Sequence, residues 1–259
     1  MKILFRKDQD NYDELPVAQQ YSDVITQRVE CCNGDTIVGR YSVLPFYREL
    51  EKDIEFFGGK LINSYSQHSW IANFNYYDEL YNLTFPTWND YDFHLAPEGA
   101  YILKGKTNSK KNQWSTHMFA ATKREAIDVA SRLINDEFIG PQGLLYRKYM
   151  PLKTFSHGLN GLPYTDEWRF FFLGTDLLSY GYYWCCEENA DERTIEPEGI
   201  VFARTVAAVA SKYVNFFVVD VGKTESGDWI MIELNDGQMS GLSMNDPHKL
   251  YVNLVKCVS

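Results

Sequence analysis

Two carboxylates and an amide near the end of the 259-residue chain carry the most chemical information. Asp220 is followed by Glu233 and Asn235, and between them lies Thr224-Glu225-Ser226-Gly227, a run of turn formers that ends in glycine. With apolar residues on both sides, this reads as a hairpin of strands over 215–221 and 228–234. Pairing outward from the turn places Asp220 opposite Met231, and puts Met231, Glu233 and Asn235 on the face of Asp220. Glu233 is then its diagonal neighbour, about 7–8 Å away and within side-chain reach. Val221, Ile230, Ile232 and Leu234 fall on the other, apolar face. Two carboxylates and an amide oxygen turned to one side are hard donors, of the kind Mg²⁺ takes when it bridges phosphate groups. A solvated sheet face would show the same spacing.

The cations are spread along the chain. Lys104 closes an apolar run over 101–104, and Lys106, Lys110 and Lys111 follow in a polar loop over 105–112. Arg147 and Lys148 stand in a run over 144–150, and Arg169 stands among aromatics. A single lysine at a strand end usually faces water. Several cations together with an acidic hairpin instead suggest a nucleoside triphosphate held between lobes.

The elements that must position these residues follow from periodicity. Residues 1–6, 36–44 and 60–62 read as strands, with a helix over 45–57 stopped by Gly58-Gly59. This predicts a small α/β unit to about residue 75. The stretch 83–89, with Pro86 inside it, reads as a connection. Thr122-x-x-Glu125 is a capping box opening a helix whose buried face is expected to carry Ala126, Ile127, Ala130, Leu133 and Ile134. Beyond it come strands over 167–173 and 181–186 and a helix over 200–213. The pattern is α+β, with helices packed on sheets.

Composition limits the alternatives. Hydrophobic residues make up 45% of the chain, so a substantial core is available. The net charge of −10 opposes non-specific binding to nucleic acid or an anionic membrane. No apolar run reaches a membrane span, and Lys2 and Arg6 come too early for a signal peptide, so a cytoplasmic protein is expected. Cys31, Cys32, Cys185, Cys186 and Cys257 show neither a disulfide framework nor a zinc spacing and are expected to be buried, reduced thiols. The five histidines show no ligand pair at helical spacing. Gly222-Lys223-Thr224 lacks the first glycine of a P-loop, because residue 217 is Phe217.

With these residues in view, the chain resembles the ATP-grasp proteins, and more closely the short phage and bacterial members of the R2K clade. The resemblance rests on Leu103-Lys104-Gly105-Lys106-Thr107-Asn108-Ser109-Lys110-Lys111, Trp114-Ser115-Thr116-His117-Met118-Phe119-Ala120, Arg147-Lys148-Tyr149-Met150-Pro151-Leu152, Glu167-Trp168-Arg169-Phe170-Phe171 and the run from Gly227 to Leu242. It implies an ATP-grasp fold, two α+β lobes clamping ATP, over 76–259 (lobes 76–148 and 149–259), preceded by a small α/β domain over 1–75. It implies that Lys104 and Lys111 touch the phosphates, and that 147–150 form the hinge, with Arg147 and Lys148 leading to Tyr149 and Met150, whose backbone reads adenine. Arg169 would face the γ-phosphate and an acyl-phosphate, and Asp220, Glu233 and Asn235 would hold Mg²⁺. Two departures stand out: Arg147 replaces the common hinge acid, and Asp236-Gly237-Gln238 replaces the usual Pro-Gly after the metal asparagine. The implied activity is ATP-dependent joining of a small-molecule or peptide carboxylate to an amine. The alternative is a nucleotide-binding regulatory or inactive module without turnover.

Overall fold

The computed structural model describes residues 1–7 and 14–258. The first unit is a parallel sheet of β1 (Lys2–Leu4), β2 (Asp23–Ile25), β3 (Thr36–Gly39) and β4 (Lys60–Leu61), in the order β2-β1-β3-β4. It is accompanied by α1 (Leu15–Ala18), α2 (Tyr47–Phe56) and α3 (Tyr65–Ala72). Tyr47, Leu50 and Ile54 of α2 recur at helical spacing and bury against Ile37 and Leu61 of the sheet. Gly58 ends this helix at φ +87°, where a Cβ would lie 3.0 Å from Asn33 Cα.

After α4 (Tyr77–Leu80), the chain builds an antiparallel sheet from β5 (Thr87–Asn89), β6 (Tyr101–Gly105), β7 (Phe119–Ala120) and, beyond α5 (Lys123–Ile134), β8 (Leu144–Lys148). The order is β5-β8-β6-β7. The segment predicted as a plain connection therefore contains a strand. Pro86 precedes β5 rather than interrupting it, and its carbonyl takes the Lys148 N–H at 2.8 Å. Thr122 caps α5 by accepting the Glu125 N–H, while the Glu125 carboxylate takes the Ala121 N–H. The buried face of α5 is Ala126, Val129, Ala130 and Leu133; Ile127 and Ile134, expected inside, are exposed. The two alanines let the helix approach the sheet closely, which centres the contact between them and turns both isoleucines outward.

The last part opens with a hairpin of β9 (Thr154–His157) and β10 (Pro163–Thr165) and continues with β11 (Glu167–Leu173) and β12 (Asp176–Tyr182). The helix α6 (Pro197–Ala210), strands β13 (Phe216–Lys223) and β14 (Trp229–Asp236) and the helix α7 (Pro247–Val258) complete it. The aromatic run expected to form a strand over 181–186 leaves the sheet after Tyr182. The sheet order is β12-β11-β13-β14, all antiparallel. One face, with Phe170, Phe172, Phe217, Val219 and Val221, packs on α6 through Ala203, Val206, Ala207 and Ala210. The other face, with Phe171, Phe216 and Val218, is covered by Leu250, Tyr251 and Leu254 of α7 and by Ile3, Phe5 and Val38 of the first sheet. With both faces covered, β11 and β13 read as continuous apolar runs, interrupted where charged residues emerge.

A buried polar seam joins the first unit to the exit of β14. The Asp236 carboxylate accepts from Asn63 Nδ2 at 2.9 Å and lies 3.1 Å from His68 Nδ1. Asn63 also clamps both backbone groups of Phe216, at 2.6 and 2.8 Å. Gln238 accepts the Gly39 N–H at 3.0 Å and donates to the Tyr47 hydroxyl, and Arg40 donates to the Gly237 carbonyl. The Asp-Gly-Gln that departs from the family pattern is thus bound to the first unit. Only Cys31 of the thiols is buried; Cys32, Cys185, Cys186 and Cys257 are exposed, contrary to expectation, because they lie in turns or on the outer side of α7. All five are free.

Candidate functional site

The hairpin of β13 and β14 has a different register from the one its turn residues predict. The loop is Thr224–Asp228, closed by Thr224 N–H to the Asp228 carbonyl at 2.8 Å, so that Lys223 faces Trp229 and Val221 faces Met231. A bulge between Asp220 and Val221 then sets Glu233 directly opposite Asp220. Ile232 is the extra residue. Met231, expected beside Asp220, instead lies in the α6 core with Val221 and Leu234. The bulge tightens the acidic set: Asp220, Glu233 and Asn235 share one face, and Arg169, directly across from Asp220 on β11, joins them.

This face meets a cleft between the two antiparallel sheets, about 820 Å³ including its open mouth. Lys104, Lys111, Arg147, Lys148, Tyr149, Met150 and Glu233 all line it, with apolar walls from Phe85, Ile102, Met118, Leu152 and Ile232. Each charged group already has partners. Lys104, only 7% exposed, reaches across the cleft and donates to Glu233 Oε1. Arg169 forms a two-point pair with Asp220, at 2.9 and 2.8 Å, and donates to the Gly241 carbonyl at 2.8 Å. Asn235 turns its amide nitrogen toward Asp220 at 3.4 Å, which leaves its oxygen free for a cation. Arg147 donates to the Ile232 carbonyl at 2.5 Å and to Thr84 Oγ1 at 2.7 Å, and its guanidinium covers the Phe85 ring. Lys111 donates to the Tyr183 hydroxyl at 2.6 Å.

Burial alone would raise the Glu233 pKa, but Lys104, with Lys111 and Arg147 beyond it, holds the carboxyl below the usual carboxylate range. Glu167, buried on the same sheet face, behaves oppositely. Burial lifts it above the usual range, and Lys111 opposes this only in part.

The structure thus brings Lys104, Lys111, Arg147, Arg169, Asp220, Glu233 and Asn235 together. Lys148 lines the cleft, but its ammonium group points to the Glu98 carbonyl at 2.8 Å. The Tyr149 N–H is taken by the Ala100 carbonyl at 2.9 Å, so this N–H is engaged within the first lobe. Glu167, Tyr183 and Trp184 also face this region and were not singled out from the sequence. Glu167 opens the same motif as Arg169, two residues earlier on one strand face, and that spacing was a usable signal. Tyr183 follows the end of β12 and gives no periodic signal. Among the described residues no trio of His, Cys, Asp or Glu converges on a metal position. Two carboxylates and an amide oxygen fit a hard cation that phosphate oxygens also hold, rather than a cage made by protein alone.

Residues 93–254 match the ATP-grasp domain of the R2K clade, family 3. The chain belongs to this family. The fold of this R2K-clade protein is likewise similar to solved ATP-grasp structures over its full length. The crystal structure of D-cycloserine synthetase DcsG matches with a TM-score of 0.64 at 11% identity, covering 100% of this chain and 99% of that one. D-alanyl-alanine synthetase A from Vibrio cholerae O1 biovar eltor gives 0.61 at 13% identity, covering 100% and 97%. The ATP-grasp ligase PsnB, complexed with a phosphomimetic variant of its minimal precursor, Mg and ADP, gives 0.60 at 11% identity, covering 100% and 97%. At these identities the likeness is one of fold. No curated protein sequence matches this one significantly. Among the described residues of this ATP-grasp protein, no helix is long and apolar enough to cross a membrane.

Proposed function

We propose that this protein is an ATP-dependent carboxylate–amine ligase that works through an acyl-phosphate. The observation that carries the reading is the convergence of Lys104, Arg169, Asp220, Glu233 and Asn235 at one end of an apolar cleft between two sheets. The apolar walls suit a purine, with the Tyr149 carbonyl and the Met150 amide at its edge and Arg147 and Lys148 in the strand leading to them. Lys104 and Lys111, from the first lobe, would bind the phosphates. Mg²⁺ held by Asp220, Glu233 and Asn235 would supply charge neutralisation at the phosphate oxygens.

Transfer of the γ-phosphoryl group to a carboxylate gives ADP and an acyl-phosphate, and an amine then displaces phosphate. Arg169 would stabilise the anionic oxygens in both steps, and Lys104 would take part in the first. No covalent enzyme nucleophile is needed, because positioning and charge neutralisation in a water-poor cleft lower both barriers. The acid is a small molecule or a peptide carboxylate, as the names of the similar structures suggest for those proteins.

The test is ADP formation over panels of amino acids and peptides, with hydroxylamine as a general acceptor that traps acyl-phosphates as hydroxamates. ADP formation that requires an acid supports ligation. A protein that binds MgATP yet forms neither ADP nor hydroxamate with any acid would be the non-turning-over module instead.

A further inference from the structure

Tyr183 lies just past β12 and meets cations from both lobes. Lys111, from the first lobe, donates to its hydroxyl at 2.6 Å and has its ammonium 4.0 Å from the ring centroid. The guanidinium of Arg169, from the second lobe, lies 4.8 Å from the same centroid. Trp184 meets Tyr183 edge-on at 5.0 Å and offers Lys111 a second π face at 4.8 Å. The site therefore holds its cations in two ways. Lys104 and Arg169 are balanced by the carboxylates of Glu233 and Asp220. Lys111 makes its direct contacts with a phenol and two rings, which attract a cation without cancelling its charge, while the Glu167 and Glu233 carboxylates act on it from beyond hydrogen-bond distance. A carboxylate at this position would hold Lys111 equally well but would remove the field that draws in an anion.

We propose that Tyr183 is a positioning residue for the nucleotide's polyphosphate. Its ring contacts Lys111 from one lobe and Arg169 from the other, so that the terminal phosphates meet two positive charges already held in place. The proposal rests on the ATP-dependent reading above and adds to it a residue that touches neither base nor metal ligand. It separates two contributions to affinity: the hinge serves the base, and Tyr183 serves the phosphates beyond the first.

The experiment is calorimetry with MgATP and with AMP on the full chain. The proteins are wild type, Tyr183→Phe, Tyr183→Leu, and a variant carrying a trifluorinated phenylalanine at position 183. Tyr183→Leu should lose about tenfold in MgATP affinity, the scale of a partly desolvated cation–π contact, and leave AMP unchanged. Tyr183→Phe keeps the ring and should remain within about threefold of wild type for MgATP. The trifluorinated ring keeps the shape of phenylalanine but withdraws its π density, so it should lose MgATP affinity relative to Tyr183→Phe. This arm decides the matter even where the leucine variant fails to fold. Equal losses for MgATP and AMP, or a fluorinated ring that binds MgATP as well as phenylalanine does, would overturn the proposal. Wild-type protein that binds neither nucleotide would overturn the ATP-dependent reading as well, a result distinct from the first two.

Discussion

Lys104→Met removes one half of a buried pair that spans the cleft. Lys104 is 7% exposed and donates to Glu233, whose side chain is 17% exposed. Deleting one partner of a buried pair costs about 3–5 kcal/mol, mostly because the other charge is left without compensation. Here Lys111 and Arg147 also face Glu233 and soften that penalty, so the lower end, about 3 kcal/mol, is expected. For a chain of this length the entropy of unfolding at the midpoint is about 0.5 kcal/mol/K, so the melting temperature should fall by about 6 °C. The double variant Lys104→Met/Glu233→Gln removes both charges, and replacing a buried pair by neutral groups of similar size is often close to neutral. It should recover most of the loss. The assay is thermal melting of the nucleotide-free protein for wild type, both single variants and the double variant, combined as a cycle. A Lys104→Met protein that melts with wild type, or a double variant less stable than either single one, would refute the claim that each charge of this pair compensates the other in the buried cleft.

Three further outcomes are expected. MgATP should raise the melting temperature, by about 2.7 kcal/mol of stabilisation at a hundredfold excess over Kd, and EDTA should reduce the shift; no shift at millimolar MgATP counts against the site. Glu167→Gln should raise the melting temperature at pH 7.5. Because burial lifts the folded-state pKa of Glu167, its proton favours the folded state, so the wild type loses stability as pH rises through that pKa, and the advantage of glutamine should vanish toward pH 4. Asn63→Ala strands the Phe216 N–H and takes one of two donors from the Phe216 carbonyl and from Asp236 Oδ1, which keep the Gly237 and Gln238 N–H groups, and should cost about 2 kcal/mol in urea unfolding; a loss under about 0.5 kcal/mol would show that the seam is dispensable.

Much of this arrangement was legible in the sequence, and the failures have physical causes. Strands with strong apolar runs, such as those around Phe170 and Val218, and the helix opened by Thr122 were visible because burial imposes periodicity. The strand β2 and the strand after Pro86 were not, because three residues are too short to show a period. The acidic set was found by type and spacing, but its register was not. A bulge leaves no mark in a sequence whose residues on both sides are isoleucine and methionine, so Met231 was placed on the wrong face. Lysines 104 and 111 were singled out by the family resemblance, not by their positions alone. That one would be held by a carboxylate and the other by a ring depends on which residues a second lobe brings opposite them, and local pattern carries no trace of that. The seam at Asp236 was visible only as a departure from a family pattern.

That seam has a consequence for how such proteins can be recombined. Asn63 and His68 stand some 170 positions before Asp236, at separations of 173 and 168 residues, yet their side chains form one buried hydrogen-bonded group with it. A chimera that takes its first 75 residues from one relative and the remainder from another would import half of this group without the other half. Its junction could lie in an exposed turn and the two parts could each be well formed, and the hybrid would still bury, one residue from Asn235, a carboxylate left with the Gln238 N–H but without Asn63 and His68. Grafts between family members should therefore carry Asn63, His68 and Asp236 together, as a single heritable unit dispersed along the gene.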